Sequence, residues 1–324
     1  MRFEVLATAV LILAPCAWAQ PTVHMLRVPE SGIQPQVELG TDGTLHLLYY
    51  KGDPKGGDLF YVKRTAGEAG FSAPVRVNSQ PGSAVAIGND RGGQLARGKN
   101  GRVHVAWNGS AAAEPKGPKN PGMAADNANN GVPMLYARSN DKGDAFEPQR
   151  NVITSAFGLD GGGGIAADSA GTVYVVFHAD PAGATGKSET DRRVFAAVSL
   201  DDGATFAPER PVSDATLGAC GCCGLKALAG PQGHLGIAFR SASTLMDRNA
   251  VLLQSTDSGK TFSATPLQPW RIGACPMTTS SLYRTEDGLA VARETRGNIF
   301  AAAVPWAGGA TPTPTSPARP NRSS

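Results

Sequence analysis

Charge is scarce in this chain of 324 residues: only 18% are Asp, Glu, Lys or Arg, and 30 basic side chains nearly balance 27 acidic ones. No basic cluster stands out, so a nucleic-acid partner is not expected. Beyond the first twenty residues no run is apolar enough to cross a bilayer, so no membrane span is expected. Cysteine is sparse as well, at five residues. What is plentiful is glycine, with 40 residues, joined by 24 prolines. Gly and Pro punctuate many short Val/Leu/Ala/Tyr runs, a pattern of frequent turns and short strands that predicts an all-β architecture.

The ends read differently from the middle. Arg2 precedes an apolar run over residues 5–13, and Ala17-Trp18-Ala19 places small residues where a signal peptidase reads them. Residues 1–19 are therefore expected to be a cleaved secretory signal, and the protein to be exported to the periplasm or secreted. Cys16 offers a lipoprotein alternative that Pro15 disfavours. Residues 307–324 are Gly, Ala, Thr, Pro, Ser, Arg and Asn, and a disordered tail is expected there. The β domain then covers residues 20–306.

A repeat organises that domain. A polar-Gly turn followed by an alternating apolar strand occurs at residues 42–50, 100–108, 170–178, 232–240 and, one residue shorter, 287–294. The spacing suits four-stranded propeller blades, five by this count with six as the alternative. The second unit has strands expected at 94–98, 102–108, 134–138 and 150–153. The last unit lacks an outer strand, and residues 23–28 are predicted to supply it and close the ring, which would hide sheet edges.

A second phrase follows the first in each unit. Ser199-x-Asp201-x-Gly203-x-Thr205-Phe206 and Ser255-x-Asp257-x-Gly259-x-Thr261-Phe262 are complete, Ser139-x-Asp141-x-Gly143-x-Ala145-Phe146 is nearly so, and residues 64–71 are a worn copy. Ser and Asp can bond backbone N–H groups inside a turn, Gly takes a left-handed conformation, and the aromatic plugs the space between sheets. These Asp residues are expected to be structural. The phrase resembles the Asp-box of sialidases and other BNR-repeat β-propellers, over nearly the whole mature chain. The resemblance implies a ligand site on the face opposite the Asp-boxes, with an arginine cluster for a substrate carboxylate and a carboxylate acid.

Antiparallel connectivity brings the ends of the second strands to that opposite face: Tyr50, Asn108, His178, Arg240 and Glu294. Adjoining loops add Asp53, Arg91, Asp160, Arg192 and Arg248. Tyr50, Arg91, Asn108, Arg192, Arg240 and Arg248 are the ligand-binding candidates, since guanidinium groups can grip an anion bidentately. Asp53, Asp160, His178 and Glu294 are the candidate acids and bases. A glycan or small anionic ligand is the expected partner and a monomer the expected state. Hydrolysis of the sialidase type is the alternative to binding alone. His46 and His104 occupy one equivalent repeat position, where packed, hydrogen-bonded histidines are expected rather than ligands.

Four cysteines remain after the signal. Cys220, Cys222 and Cys223 precede the fourth unit and Cys275, near Met277, precedes the fifth. Both segments lie on the site face of neighbouring blades, so the sulfurs can meet. An even count in an exported protein favours two disulfides and no cofactor. Copper or zinc on Cys220, Cys222, Cys223, Cys275 and the Met277 thioether is the alternative, which would make the site a metal-handling or interaction module.

Overall fold

A computed structural model describes residues 25–88, 92–124, 126–127, 130–184 and 188–306. The proposed signal, Arg91 and the proposed tail lie outside the described residues. The described chain is all-β, with no α-helix and five antiparallel sheets in sequence order. The first holds β1 (Ile33–Leu39), β2 (Leu45–Asp53), β3 (Gly56–Arg64) and β4 (Val75–Arg76). The second holds β5 (Gln94–Arg97), β6 (Val103–Asn108), β7 (Met134–Arg138) and β8 (Arg150–Asn151). The third holds β9 (Gly164–Ala167), β10 (Val173–Ala179), β11 (Arg193–Ser199) and β12 (Arg210–Pro211). The fourth holds β13 (Lys226–Ala229), β14 (Leu235–Arg240), β15 (Ala250–Ser255) and β16 (Ser263–Gln268). The fifth has three strands, β17 (Ser280–Arg284), β18 (Gly288–Thr295) and β19 (Asn298–Pro305).

The arrangement is propeller-like. The inner strands β1, β5, β9, β13 and β17 all contribute to one central cavity of about 260 Å³. Strand periodicity explains how the sheets stack. In β10, Val173, Val175 and Phe177 pack toward the second sheet, where they meet Ala106, Met134 and Tyr136. The intervening Tyr174 and Val176 pack toward the fourth, against Leu235, Ile237 and Phe239. A strand covered on both faces is apolar at most positions, and β6, β10 and β14 are buried from end to end, with His104, Asn108, His178 and Arg240 as their buried polar members. Each Val, Leu or Phe so buried contributes roughly 1.5–3 kcal/mol.

One expectation about the chain's entry needs correction. The strand predicted over 23–28 does not close the fifth sheet. Its first two residues are outside the described set, and Met25–Val28 join no strand. Val28 packs instead on the first sheet, against Leu47, Tyr49 and Val62. A tight turn at Pro29–Ser31 then redirects the chain, which enters the first sheet as its inner strand. That strand is interrupted by Pro35, and its pairing with β2 shifts register between Ile33 and Gln36. With no closing strand among the described residues, Val37 and Leu39 on β1 and Tyr283 and Ile299 on the fifth sheet are exposed.

Candidate functional site

The Asp-box turns join the third and fourth strands of their sheets. In the third sheet, Ser199 Oγ donates to Asp201 Oδ1 at 2.7 Å and accepts from Gly203 N at 2.9 Å. Asp201 also accepts from the backbone and hydroxyl of Thr205, at 2.8 and 2.6 Å. These bonds, led by the Thr205 hydroxyl, lower the Asp201 carboxyl to about 2. The fourth sheet repeats the set, with Thr261 bonded to Asp257 at 2.9 and 2.6 Å. Ala145 has no hydroxyl for Asp141 in the second sheet, and there Asp141 is held by Arg102. Phe146 and Phe206 each reach back to the preceding sheet and meet the edge of Tyr61 and Tyr136. Those two tyrosines hydrogen-bond His46 and His104, at 2.6 and 2.7 Å. All of this chemistry is spent on holding turns and joints.

The links between second and third strands, and from one sheet to the next, emerge at the opposite end. A chain of ion pairs runs across them. Arg192 lies 3.2 Å from Asp160 and 3.3 Å from Glu189, and Arg248 lies 2.9 Å from the other Glu189 oxygen. Glu189 also accepts from Gly221 N at 2.9 Å. Asn108 Nδ2 donates to Gly161 O at 2.6 Å. Gly161 has φ 77° and its backbone rides directly against Gly221, where a Cβ would lie 2.0 Å from a carbonyl oxygen; only glycine fits. Asn108, Asp160, Arg192 and Arg248 are thus brought together, and Glu189 is the central acceptor.

Arg240 and His178 border this group, and Tyr50, Asp53 and Glu294 lie elsewhere. Arg240 is 4% exposed, stacks over Trp270 at 4.7 Å and donates to Thr278 Oγ1 and to the carbonyls of Arg248 and Glu294. The Tyr50 hydroxyl donates to the Asp53 carbonyl, and burial pushes its phenol up to about 12. Asp53 itself caps the β2–β3 turn through Lys55 N at 2.8 Å, and Glu294 accepts from Gly297 N in the β18–β19 turn. His178 is fully buried, and desolvation lowers its imidazole to about 3, so it stays neutral. Desolvation likewise raises the carboxyl of Asp180.

Between these groups and the channel lies a cavity of about 260 Å³, lined by Gln34, Gln36, Gly92, Gln94, Lys226, Thr279 and Ser280. It sits where inner strands begin, at the end away from the Asp-boxes. Gln34 has φ 50°, a strained backbone for a residue with a side chain, at the register shift in β1. Its amide nitrogen is tied to Gly88 O at 2.7 Å, and its buried amide oxygen has no hydrogen-bond partner among the described residues. Lys226 Nζ donates to Gln94 Oε1 at 2.6 Å. Sequence reasoning missed these residues. The one signal was their position at inner-strand starts, and it carries no chemistry without the neighbours.

The cysteines do converge, as one disulfide rather than two. Cys222 is bonded to Cys275, joining the link between the third and fourth sheets to the link between the fourth and fifth. Cys220 and Cys223 are buried free thiols. The sulfurs of Cys220, Cys222 and Cys275 lie within 4.8 Å of one another, a donor set that suits a soft metal only if the disulfide is first reduced.

No family model matches this chain, and no curated protein matches it. Solved structures do. A leech intramolecular trans-sialidase, complexed with 2,7-anhydro-Neu5Ac, is 13% identical, with a TM-score of 0.53 over 87% of this chain and 59% of its own. A protein of unknown function from Dyadobacter fermentans is 17% identical, with a TM-score of 0.50 over 84% of this chain and 78% of its own. An α-L-arabinanase of Penicillium chrysogenum, complexed with arabinobiose, is 10% identical with a TM-score of 0.49 over 85% of this chain and 78% of its own. The likeness is one of fold, and this chain spans well under two thirds of the trans-sialidase.

Proposed function

We propose that this chain is a sialidase-like propeller that binds a glycan at the channel mouth, on the face away from the Asp-boxes, without hydrolysing it. One observation carries the reading: the cavity there is walled by three glutamine amides, two hydroxyls and one ammonium, with no carboxylate among the described lining residues. Amides and hydroxyls both donate and accept, which suits sugar hydroxyl groups, and Lys226 suits an acidic sugar. Sialidase-type hydrolysis needs a free acid and a nucleophile near the scissile bond. Asp160 and Glu189 are instead bonded to Arg192 and Arg248. The 2,7-anhydro-Neu5Ac bound by the trans-sialidase supports a carbohydrate partner. Export, expected from residues 1–19, accords with the Cys222–Cys275 bond.

The test is a glycan panel on the purified mature protein, read by calorimetry and, in parallel, by release of fluorogenic glycosides. Saturable binding that weakens at least tenfold in Gln94→Ala, with no turnover, is expected. Turnover of any glycoside, or binding to none, overturns the reading.

A further inference from the structure

Four sulfurs occupy one small volume beside the fourth sheet, and they differ in access. Cys220 and Cys223 are buried at 0% and 1% exposure, Cys222 is half-buried, and Cys275 is exposed. Cys220 Sγ lies 3.2 Å from Cys222 Sγ, which is itself bonded to Cys275. A separation of about 3–3.5 Å is that of reacting atoms held ready for attack. The fourth sulfur, Cys223 Sγ, is 3.8 Å from Thr278 Oγ1. Arg240 also donates to that Thr278 oxygen, which places its guanidinium beside the thiols.

We infer that the cluster is a thiol–disulfide exchange site, in which Cys220 attacks Cys222, displaces Cys275 and so unfastens the link between the fourth and fifth sheets from the link before the fourth. The step balances between the chain and its solvent. Hydroxide from the solvent takes the Cys220 proton. Cys220 Sγ forms a bond to Cys222 Sγ as the Cys222–Cys275 bond breaks, and its electron pair leaves on Cys275. The exposed Cys275 thiolate then takes a proton from water. No oxidant or reductant is consumed. Geometry sets this division of roles: Cys220 is the sulfur at attack distance from Cys222, and Cys275 is the exposed sulfur of the bonded pair. The inference is independent of any ligand at the channel mouth.

The experiment traps the isomers in the unmodified mature protein, purified without reductant. Native protein is incubated with N-ethylmaleimide at pH 6, 7 and 8, and peptides are mapped by mass spectrometry. The expected product carries the label on Cys275 and a Cys220–Cys222 bond, and it forms about tenfold faster at pH 7 than at pH 6, as thiolate content requires. Cys223→Ser leaves the labelling of Cys275 in place, and Cys220→Ser abolishes it while Cys222–Cys275 persists. Labelling of Cys220 or Cys223 with Cys222–Cys275 intact overturns the inference, as does a protein with no free thiol. Stoichiometric copper or zinc in the same sample, by elemental analysis, overturns it in favour of a metal centre.

Discussion

Arg102 Nε lies 2.6 Å from Asp202 Oδ2, so a side chain from the inner turn of the second sheet grips the Asp-box turn of the third. The same guanidinium donates to the Ser139 carbonyl at 2.6 Å and pairs with Asp141 in its own sheet. One residue therefore fixes two Asp-box turns and the angle between two sheets. Replacing Arg102 by Ala strands the half-buried Asp202 carboxylate and is expected to cost about 2 kcal/mol. Urea denaturation checks this: the midpoint should fall with no change in slope, and glycan binding should be retained.

Acidification below neutrality should weaken the fold through its histidines. Desolvation, the leading cause in each, holds His104 and His178 at about 3 and His46 at about 4, against an ordinary value of 6.5. The unfolded chain thus binds more protons than the native one between pH 6.5 and about 3, and stability falls as pH drops through that window. The slope is roughly 1 kcal/mol per pH unit for each fully buried histidine. Urea melts at pH 7 and pH 5 measure it. His104→Gln should flatten the dependence, and an unchanged slope would refute the assignment.

The Asp-box carboxylates act lower on the scale. Asp201, lowered to about 2 from 3.8, stabilises the native state above pH 3.8, and that contribution is lost as pH falls toward 2. Asp257 is lowered as well, by the Thr261 hydroxyl first. Asp201→Asn and Asp257→Asn should each reduce stability at pH 7 and make acid unfolding between pH 4 and 2 shallower. Ligand affinity should stay within twofold, because both residues lie at the far end from the cavity.

Lys226 is expected to separate charged from neutral ligands. In Lys226→Gln, affinity for carboxylate-bearing glycans should fall about tenfold, the scale of one charge-assisted hydrogen bond. Neutral glycans should lose no more than about threefold. Calorimetry at low and moderate salt decides it, and equal losses for both classes would remove the lysine from ligand recognition.

The Asp-box turns were legible because their bonds are local. Ser199, Asp201, Gly203 and Thr205 are within seven residues of one another, and their roles follow from side-chain reach. The sheets were legible for a similar reason, since a two-residue period shows in any window of eight. The inner strand of the first sheet was not. Pro35 and the register shift beside it break the pattern that would have announced Ile33–Leu39. Arg240 shows the converse. Its place at a strand end suggested a ligand clamp, but Trp270, Thr278 and Thr295 arrive from distant segments and claim its guanidinium.

Repeat spacing, strand alternation and turn chemistry are short-range properties, so residue order alone determined that this would be an all-β chain of stacked, Asp-box-bearing sheets. Which cysteines bond, which acids are neutralised and which polar groups share a cavity depend on approaches between residues fifty or more positions apart. Cys222 finds Cys275, Glu189 finds Arg248, and Gln94 finds Lys226 only when the links of neighbouring sheets are laid side by side. That placement belongs to the tertiary structure, because sheet packing sets which loops meet and no single segment encodes its partner.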